Sequence, residues 1–330
     1  MGEIYETRLN DRARAIETYQ GVLEREPGHR GALECVARLS ASEGKLEQAA
    51  SALDKLLASS SGADAVRLAL SLADVEEQLG SKEKAAQALE RGLAGDERNS
   101  DVRERLRKLY ETTSAWDKLS GLVARDAELV TGADQQVKLL RQAANIQSQR
   151  RGDHAAAAAL LDRASQIKPD DRELLLELCD EYNASGRGKA AAEVLEKIVA
   201  SYGAKRTKEL AEIHRRLAGA YLADGNGQRA LEELDKAFRI EPGNIGVLAS
   251  LGEVALNVGD VKKAQQMYRA LLLQKLDDAG PIKKATVFVR LGDIHDKLGE
   301  KPKAVQMYER ALQTDATLEE AKTKLAALKG

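Results

Sequence analysis

The sequence predicts an all-α fold built from repeated helix–turn–helix hairpins, and three observations predict it. Residues 211–278 divide into two consecutive segments of 34 residues, 211–244 and 245–278, that place small and large apolar residues at matching positions. A glycine recurs at the fifteenth position of such segments along the chain. Composition agrees: charged residues make up 32% and aromatics 3%, which suits long helices and few strands. A chain of 330 residues would ordinarily suggest two domains. A repeat whose units bury their apolar faces on one another predicts one continuous core instead.

The first segment carries Leu217, Ala218, Tyr221, Gly225, Ala230, Leu234, Ala237 and Pro242 at positions 7, 8, 11, 15, 20, 24, 27 and 32. The second carries Leu251, Gly252, Ala255, Gly259, Ala264, Tyr268 and Leu271 at the same positions through 27. Each unit reads as two amphipathic helices, A and B. Small residues at 8 and 20 let the two approach closely. Glycine at 15 adopts positive φ without steric cost, so it stops helix A and turns the chain. Proline at 32 cannot continue helix B.

This pattern resembles the tetratricopeptide repeat family, and the resemblance covers essentially the whole chain. It implies a right-handed α-solenoid superhelix of stacked hairpins. Residues 1–29 read as a partial repeat: the end of a helix A with Ile4 and Tyr5, a turn at Asn10-Asp11, and a helix B with Ala15, Tyr19 and Pro27. The missing start of that helix A suggests a truncation point and a longer natural protein. Complete repeats follow at 30–63, 66–99, 100–133, 138–171, 172–205, 211–244, 245–278 and 285–318, and 319–330 reads as a terminal capping helix. Together they are expected to form a single solenoid over 1–330. Position 15 is Gly44, Gly80, Ser114, Gly152, Gly186, Gly225, Gly259 and Gly299; position 20 is Ala49, Ala85, Leu119, Ala157, Ala191, Ala230, Ala264 and Ala304. Both exceptions, Ser114 and Leu119, fall in 100–133, beside the only tryptophan, Trp116. Bulk at position 20 is expected to push that hairpin's helices apart, with Trp116 filling the gap. Longer junctions at 134–137, 206–210 and 279–284 are expected to extend helix ends or turns; the last follows Asp277-Asp278.

No catalytic constellation emerges. His29, His154, His214 and His295 stand at no metal-ligand spacing, so no metal or cofactor is expected and interhelical or surface roles are. Ser185-Gly186-Arg187-Gly188-Lys189-Ala190 looks like the end of a phosphate loop but has Asn183 and Ala190 where a P-loop needs Gly and Ser/Thr. Cys35 and Cys179 lie too many repeats apart to meet. A net charge of −2 argues against a general nucleic-acid binder. No apolar run spans a membrane and no signal peptide precedes the repeats, so a cytoplasmic protein is expected, or a periplasmic one if a leader was removed. The basic cluster Lys205, Arg206 and Lys208 reads as a solvated corner, with an acidic partner or a lipid surface as the alternative.

The family resemblance implies that positions 2, 5, 6, 9, 12 and 13 of each helix A line a concave groove. The candidate partner-binding residues are therefore Asp74, Lys108, Asp180, Glu253 and Asp293 at position 9, Glu77, Asn183, Leu222 and Asp296 at position 12, and Leu176 and Arg215 at position 5. The groove leans acidic with apolar patches, which suits a basic or amphipathic segment of another protein. No Asn stands at position 9, so the carboxylate clamp of chaperone-adaptor members is absent. The expected function is a non-enzymatic scaffold, with a partner-selecting arm of a larger enzyme as the alternative. The Ala-, Arg- and Glu-rich composition is similar to that of bacterial members, which implies a larger multi-protein assembly.

Overall fold

A computed structural model describes residues 1–276 and 280–329, which form two compact units, Met1–Gly152 and Asp153–Gly330. Among the described residues every regular element is helical.

The first unit contains α1 (Gly2–Thr7), α2 (Arg12–Arg25), α3 (Arg30–Ser42), α4 (Leu46–Ala58), α5 (Gly62–Gln78), α6 (Lys82–Gly95), α7 (Ser100–Thr112), α8 (Trp116–Leu129) and α9 (Ala133–Ile146), the last prolonged by a π-helical turn, Gln147–Arg151. The second contains α10 (His154–Ile167), α11 (Arg172–Ala184), α12 (Gly188–Ser201), α13 (Lys208–Ala223), α14 (Gly227–Ile240), α15 (Ile245–Asn257), α16 (Val261–Leu271), α17 (Lys284–Lys297), α18 (Lys301–Thr314) and α19 (Glu319–Lys329). The junction residues 134–137 lie inside α9, and 208–210 inside α13, so both extend a helix A at its start. Of the third junction, Asp277, Asp278 and Ala279 lie outside the described residues.

Backbone chemistry sets the hairpin turns. In the α13–α14 turn, Gly225 N–H donates to Leu222 O at 2.9 Å and Asn226 N–H to Tyr221 O at 2.7 Å, and Gly225 has φ +77°. This is the Schellman arrangement, which satisfies carbonyls that a helix end would otherwise leave unpaired. Asn226 then caps α14 by accepting from Arg229 N–H. All seven glycines of the repeat position have positive φ, and among the described residues the two non-glycine residues with positive φ are Asn10 (+49°) and Ser114 (+55°). Both stand where the glycine would be. The turn geometry is therefore kept even where its preferred residue is missing, at a cost of about 1 kcal/mol for a side chain in this region.

Each core is made by the small and large apolar positions. In the first unit Ala49, Leu53 and Leu56 of α4 pack with Leu33 and Val36 of α3 and Leu68 and Leu72 of α5. In the second, Ala304, Tyr308 and Ala311 of α18 pack with Phe288 and Val289 of α17 and Ala321 of α19. A fully buried leucine in such a layer contributes roughly 1.5–3 kcal/mol.

The hairpin α7–α8 departs from expectation in how it accommodates its bulk. Leu119 is simply buried. Trp116 does not fill a gap: it is half-buried, and the Arg150 guanidinium sits over its ring at 5.1 Å. The larger changes are at positions 8 and 27, where Arg107 and Asp126 replace small or apolar residues. Asp126 is buried and accepts from Arg103 Nε at 2.5 Å and from Arg107. An ion pair inside the hairpin thus takes the place of close apolar packing. Such a pair is tolerated because each charge is met by its partner.

Candidate partner-binding site

In the first unit, α5 and α7 bring two of the candidates, Glu77 and Lys108, to one hollow, with Asp74 beside them on Arg105. Asp74 and Glu77 both pair with Arg105, at 2.5 and 3.0 Å. Lys108 pairs with Glu104 one turn back, at 2.6 Å. Glu77, Arg105 and Lys108 line the hollow together.

In the second unit the candidates are spread over α11, α13, α15 and α17. Leu176 is half-buried. Asp180 accepts two hydrogen bonds from Arg216 Nη1, at 2.9 and 3.2 Å. The Oδ1 of Asn183 is buried without a hydrogen-bond partner among the described residues. Leu222 is 41% exposed. Asp293 accepts from the Tyr308 hydroxyl at 2.8 Å, from Lys324 Nζ at 2.7 and 2.8 Å, and from Arg290 at 3.2 Å. Asp296 is exposed and without an ion pair among the described residues.

Arg215 and Glu253 meet in one cleft formed by α13, α15 and α17. Its floor is α15, which presents Gly246, Ala249 and Ser250, small residues at positions 2, 5 and 6. Arg215 stands on the α13 side, its guanidinium held by both oxygens of Glu212 at 2.8 and 2.6 Å. Burial alone would raise the Glu212 pKa; the bonds and charges of Arg215 and Arg216 outweigh it and hold the carboxyl below its ordinary range. Arg290 and Thr286 stand on the α17 side. Tyr268, 2% exposed, closes the bottom, and burial first, then the Glu253 charge, pushes its hydroxyl up to about 12.

Of these lining residues Glu212, Gly246, Ala249, Ser250, Tyr268, Thr286 and Arg290 were not among the named candidates. Six of the seven stand at positions 2, 5 or 6 of a helix A, which the family resemblance assigns to the groove. Tyr268, from helix B, carried no signal beyond its apolar position. Much of the expected acidic lean is also answered internally, because Asp74, Glu77, Asp180 and Asp293 all have cationic partners.

The histidines serve the helices. His29 Nδ1 accepts from Ala32 N–H and caps α3. His154, His214 and His295 each meet a glutamate, Glu181, Glu233 and Glu300, at 2.8, 2.7 and 2.5 Å. Among the described residues no group of three or more His, Cys, Asp or Glu is placed to hold a metal ion, and no helix is long and apolar enough to cross a membrane.

Sequence profiles described as tetratricopeptide repeat match residues 5–64 and 37–101, 149–217 and 221–286, and 287–322. The chain belongs to the tetratricopeptide repeat family, whose members generally act as non-catalytic scaffolds for other proteins or peptides. The matched stretches leave 102–148 between them, which holds the hairpin with Ser114, Leu119 and the Arg107–Asp126 pair. The human protein O-mannosyl-transferase TMTC1 is 28% identical over 181 residues, covering 54% of this chain and 19% of that protein, so the chain spans about a fifth of this relative's length. Among solved structures, a thermophilic tetratricopeptide repeat protein of Thermus thermophilus is 22% identical with a TM-score of 0.41, covering 58% of this chain and 98% of the other. A tetratricopeptide repeat protein of Parabacteroides merdae is 13% identical with a TM-score of 0.44, covering 81% and 99%.

Proposed function

We propose that this chain is a non-enzymatic scaffold that holds a segment of another protein along the helix-A faces of its hairpins, as part of a larger assembly. The observation that carries this reading is the cleft over α15. Three successive helices A contribute to it, and its floor of Gly246, Ala249 and Ser250 lets a main chain approach closely. The side chains around it offer hydrogen bonds and charge without any nucleophile–base pair. Within the second unit Leu176, Asp180, Asn183, Leu222, Asp293 and Asp296 belong to the same reading, and within the first unit Asp74, Glu77 and Lys108 are candidates of the same kind.

A photo-cross-linking side chain at Ser250, compared with one at Glu232 on the exposed side of α14, tests this in native lysate. The expected result is a discrete cross-linked partner from position 250 alone. Equal cross-linking from both positions, or from 232 only, would move the binding surface off the groove.

The second reading is an arm that selects partners for a larger enzyme whose catalytic part lies elsewhere. It is favoured by the match to a fifth of the length of a transferase. Binding by this cleft would then serve to choose what the enzyme acts on.

A further inference from the structure

One charge pairing recurs at three places between adjacent helices A, once in the first unit and twice in the second. An acid at position 9 pairs with a base at position 6 of the next repeat: Asp74 with Arg105 at 2.5 Å, Asp180 with Arg216 at 2.9 Å, and Asp293 with Lys324 at 2.7 Å. Glu253 and Arg290 occupy the same two positions, but this pairing is open. Arg290 instead donates to Asp293 at 3.2 Å and to Glu320 at 2.8 Å. Glu253 is exposed and makes no hydrogen bond or ion pair with a described residue.

The surroundings of Glu253 decide which charge belongs beside it. Arg215 is already met by Glu212, and Arg290 by two carboxylates, so the one uncompensated charge of the cleft is negative. The hydroxyl of Tyr268, a side chain 98% buried at the bottom of the cleft, has no hydrogen-bond partner among the described residues and is free to accept as well as donate. An anion entering here would face Glu253 unpaired. A cation would gain a charge-assisted hydrogen bond and supply the missing base.

We propose that the Glu253 cleft receives a single lysine or arginine side chain of an extended partner segment, whose flanking main chain lies over Gly246, Ala249 and Ser250. This rests on the groove reading above. It narrows that reading from a generally basic partner to one cation at one slot.

The test uses the full chain and end-blocked peptides of Gly, Ser and Ala with one central Lys, Arg, Gln or Glu. Binding is followed by fluorescence anisotropy. The expected result is that Lys and Arg peptides bind about ten-fold more tightly than the Gln peptide. That preference should vanish in Glu253→Gln and turn toward the Glu peptide in Glu253→Lys. Ser250→Arg should abolish binding of all four, because it fills the floor and offers Glu253 a cation of its own; arginine already stands at this repeat position in Arg105, Arg216 and Arg290. An undiminished cation preference in Glu253→Gln, or a preference for the Glu peptide in the unaltered chain, overturns the slot while leaving the groove reading intact. Binding that survives Ser250→Arg, or no binding of any peptide, overturns both.

Discussion

Two neighbouring slots of the second unit are built from the same parts and end in opposite states. Around Asp293, position 9 carries an acid, position 24 a tyrosine and position 8 a glycine; around Glu253 the same positions hold Glu253, Tyr268 and Gly252. In the first slot the acid is used up internally, by Tyr308, Lys324 and Arg290. In the second it is left over, because Arg290 has turned toward the next helix. The difference teaches that the charge of a repeat surface is not read from its acids alone. What matters is whether the following repeat supplies the base, and whether a better-placed carboxylate takes that base first.

The largest expected effect follows from removing each acid. Asp293→Ala leaves a tyrosine hydroxyl and two cations without their shared acceptor, and is expected to cost about 2–3 kcal/mol of stability. Glu253→Ala removes an exposed, unpaired carboxylate and should stay within about 0.5 kcal/mol. Urea unfolding of both variants measures the contrast. Equal losses would mean that Glu253 is bonded inside the fold and that the two slots do not differ.

Packing beneath the slots offers the next test. A Cβ added at Gly292 would lie 2.5 Å from Tyr308 Cε1, whereas one at Gly252 would lie 3.1 Å from Tyr268. In both hairpins glycine at position 8 makes room for tyrosine at position 24, but the closed slot is the tighter one. Gly292→Ala is therefore expected to cost about 1–3 kcal/mol by overpacking, and Gly252→Ala less. Thermal melts rank them. The reverse order would show that the closed slot has more slack than its contacts imply.

These contrasts mark what was legible in the sequence. The hairpins were, because glycine at position 15 and alanine at position 20 are demanded by backbone geometry and close approach, which leave few alternatives. Even Asn10 and Ser114 hold the left-handed turn conformation there. The groove positions came from the family resemblance, and of the residues they singled out Arg215 and Glu253 line one cleft. Charge pairing was not legible: Asp180 and Asp293 read as free acids, yet each is met by a base 36 or 31 residues away. The distance is about one repeat, so the partner had to be sought at a different position of the next unit. The pairing of buried Asp126 with Arg103 and half-buried Arg107 was not legible for a related reason: Trp116 is the conspicuous residue of that hairpin, but the polar residues at positions 8 and 27 carry the change.

The finest test reads the open slot without any ligand. Burial is the main reason that the Tyr268 hydroxyl is pushed up to about 12, and the Glu253 charge adds to it. Burial likewise raises Tyr308, followed by its hydrogen bond to Asp293 and that residue's charge. Both hydroxyls are thus held neutral by the fold more strongly than in the unfolded chain. Their contribution to stability is fully present below the ordinary tyrosine value, near 10, and is lost as pH rises through the folded-state values. Glu253→Gln removes only the smaller of the two main influences on Tyr268, so it should lower that hydroxyl slightly, leave Tyr308 in place, and make the fold a little more resistant to alkaline unfolding. Asp293→Asn should act in the same direction on Tyr308 and more strongly, because a charge and the best acceptor of its hydrogen bond go together. Tyrosinate absorbance across the alkaline range, with Tyr268→Phe as the reference that identifies the signal, separates the two. If Glu253→Gln leaves the Tyr268 titration unmoved, its carboxylate does not lean over that hydroxyl, and the open slot loses the feature that distinguishes it from any exposed acid on the surface.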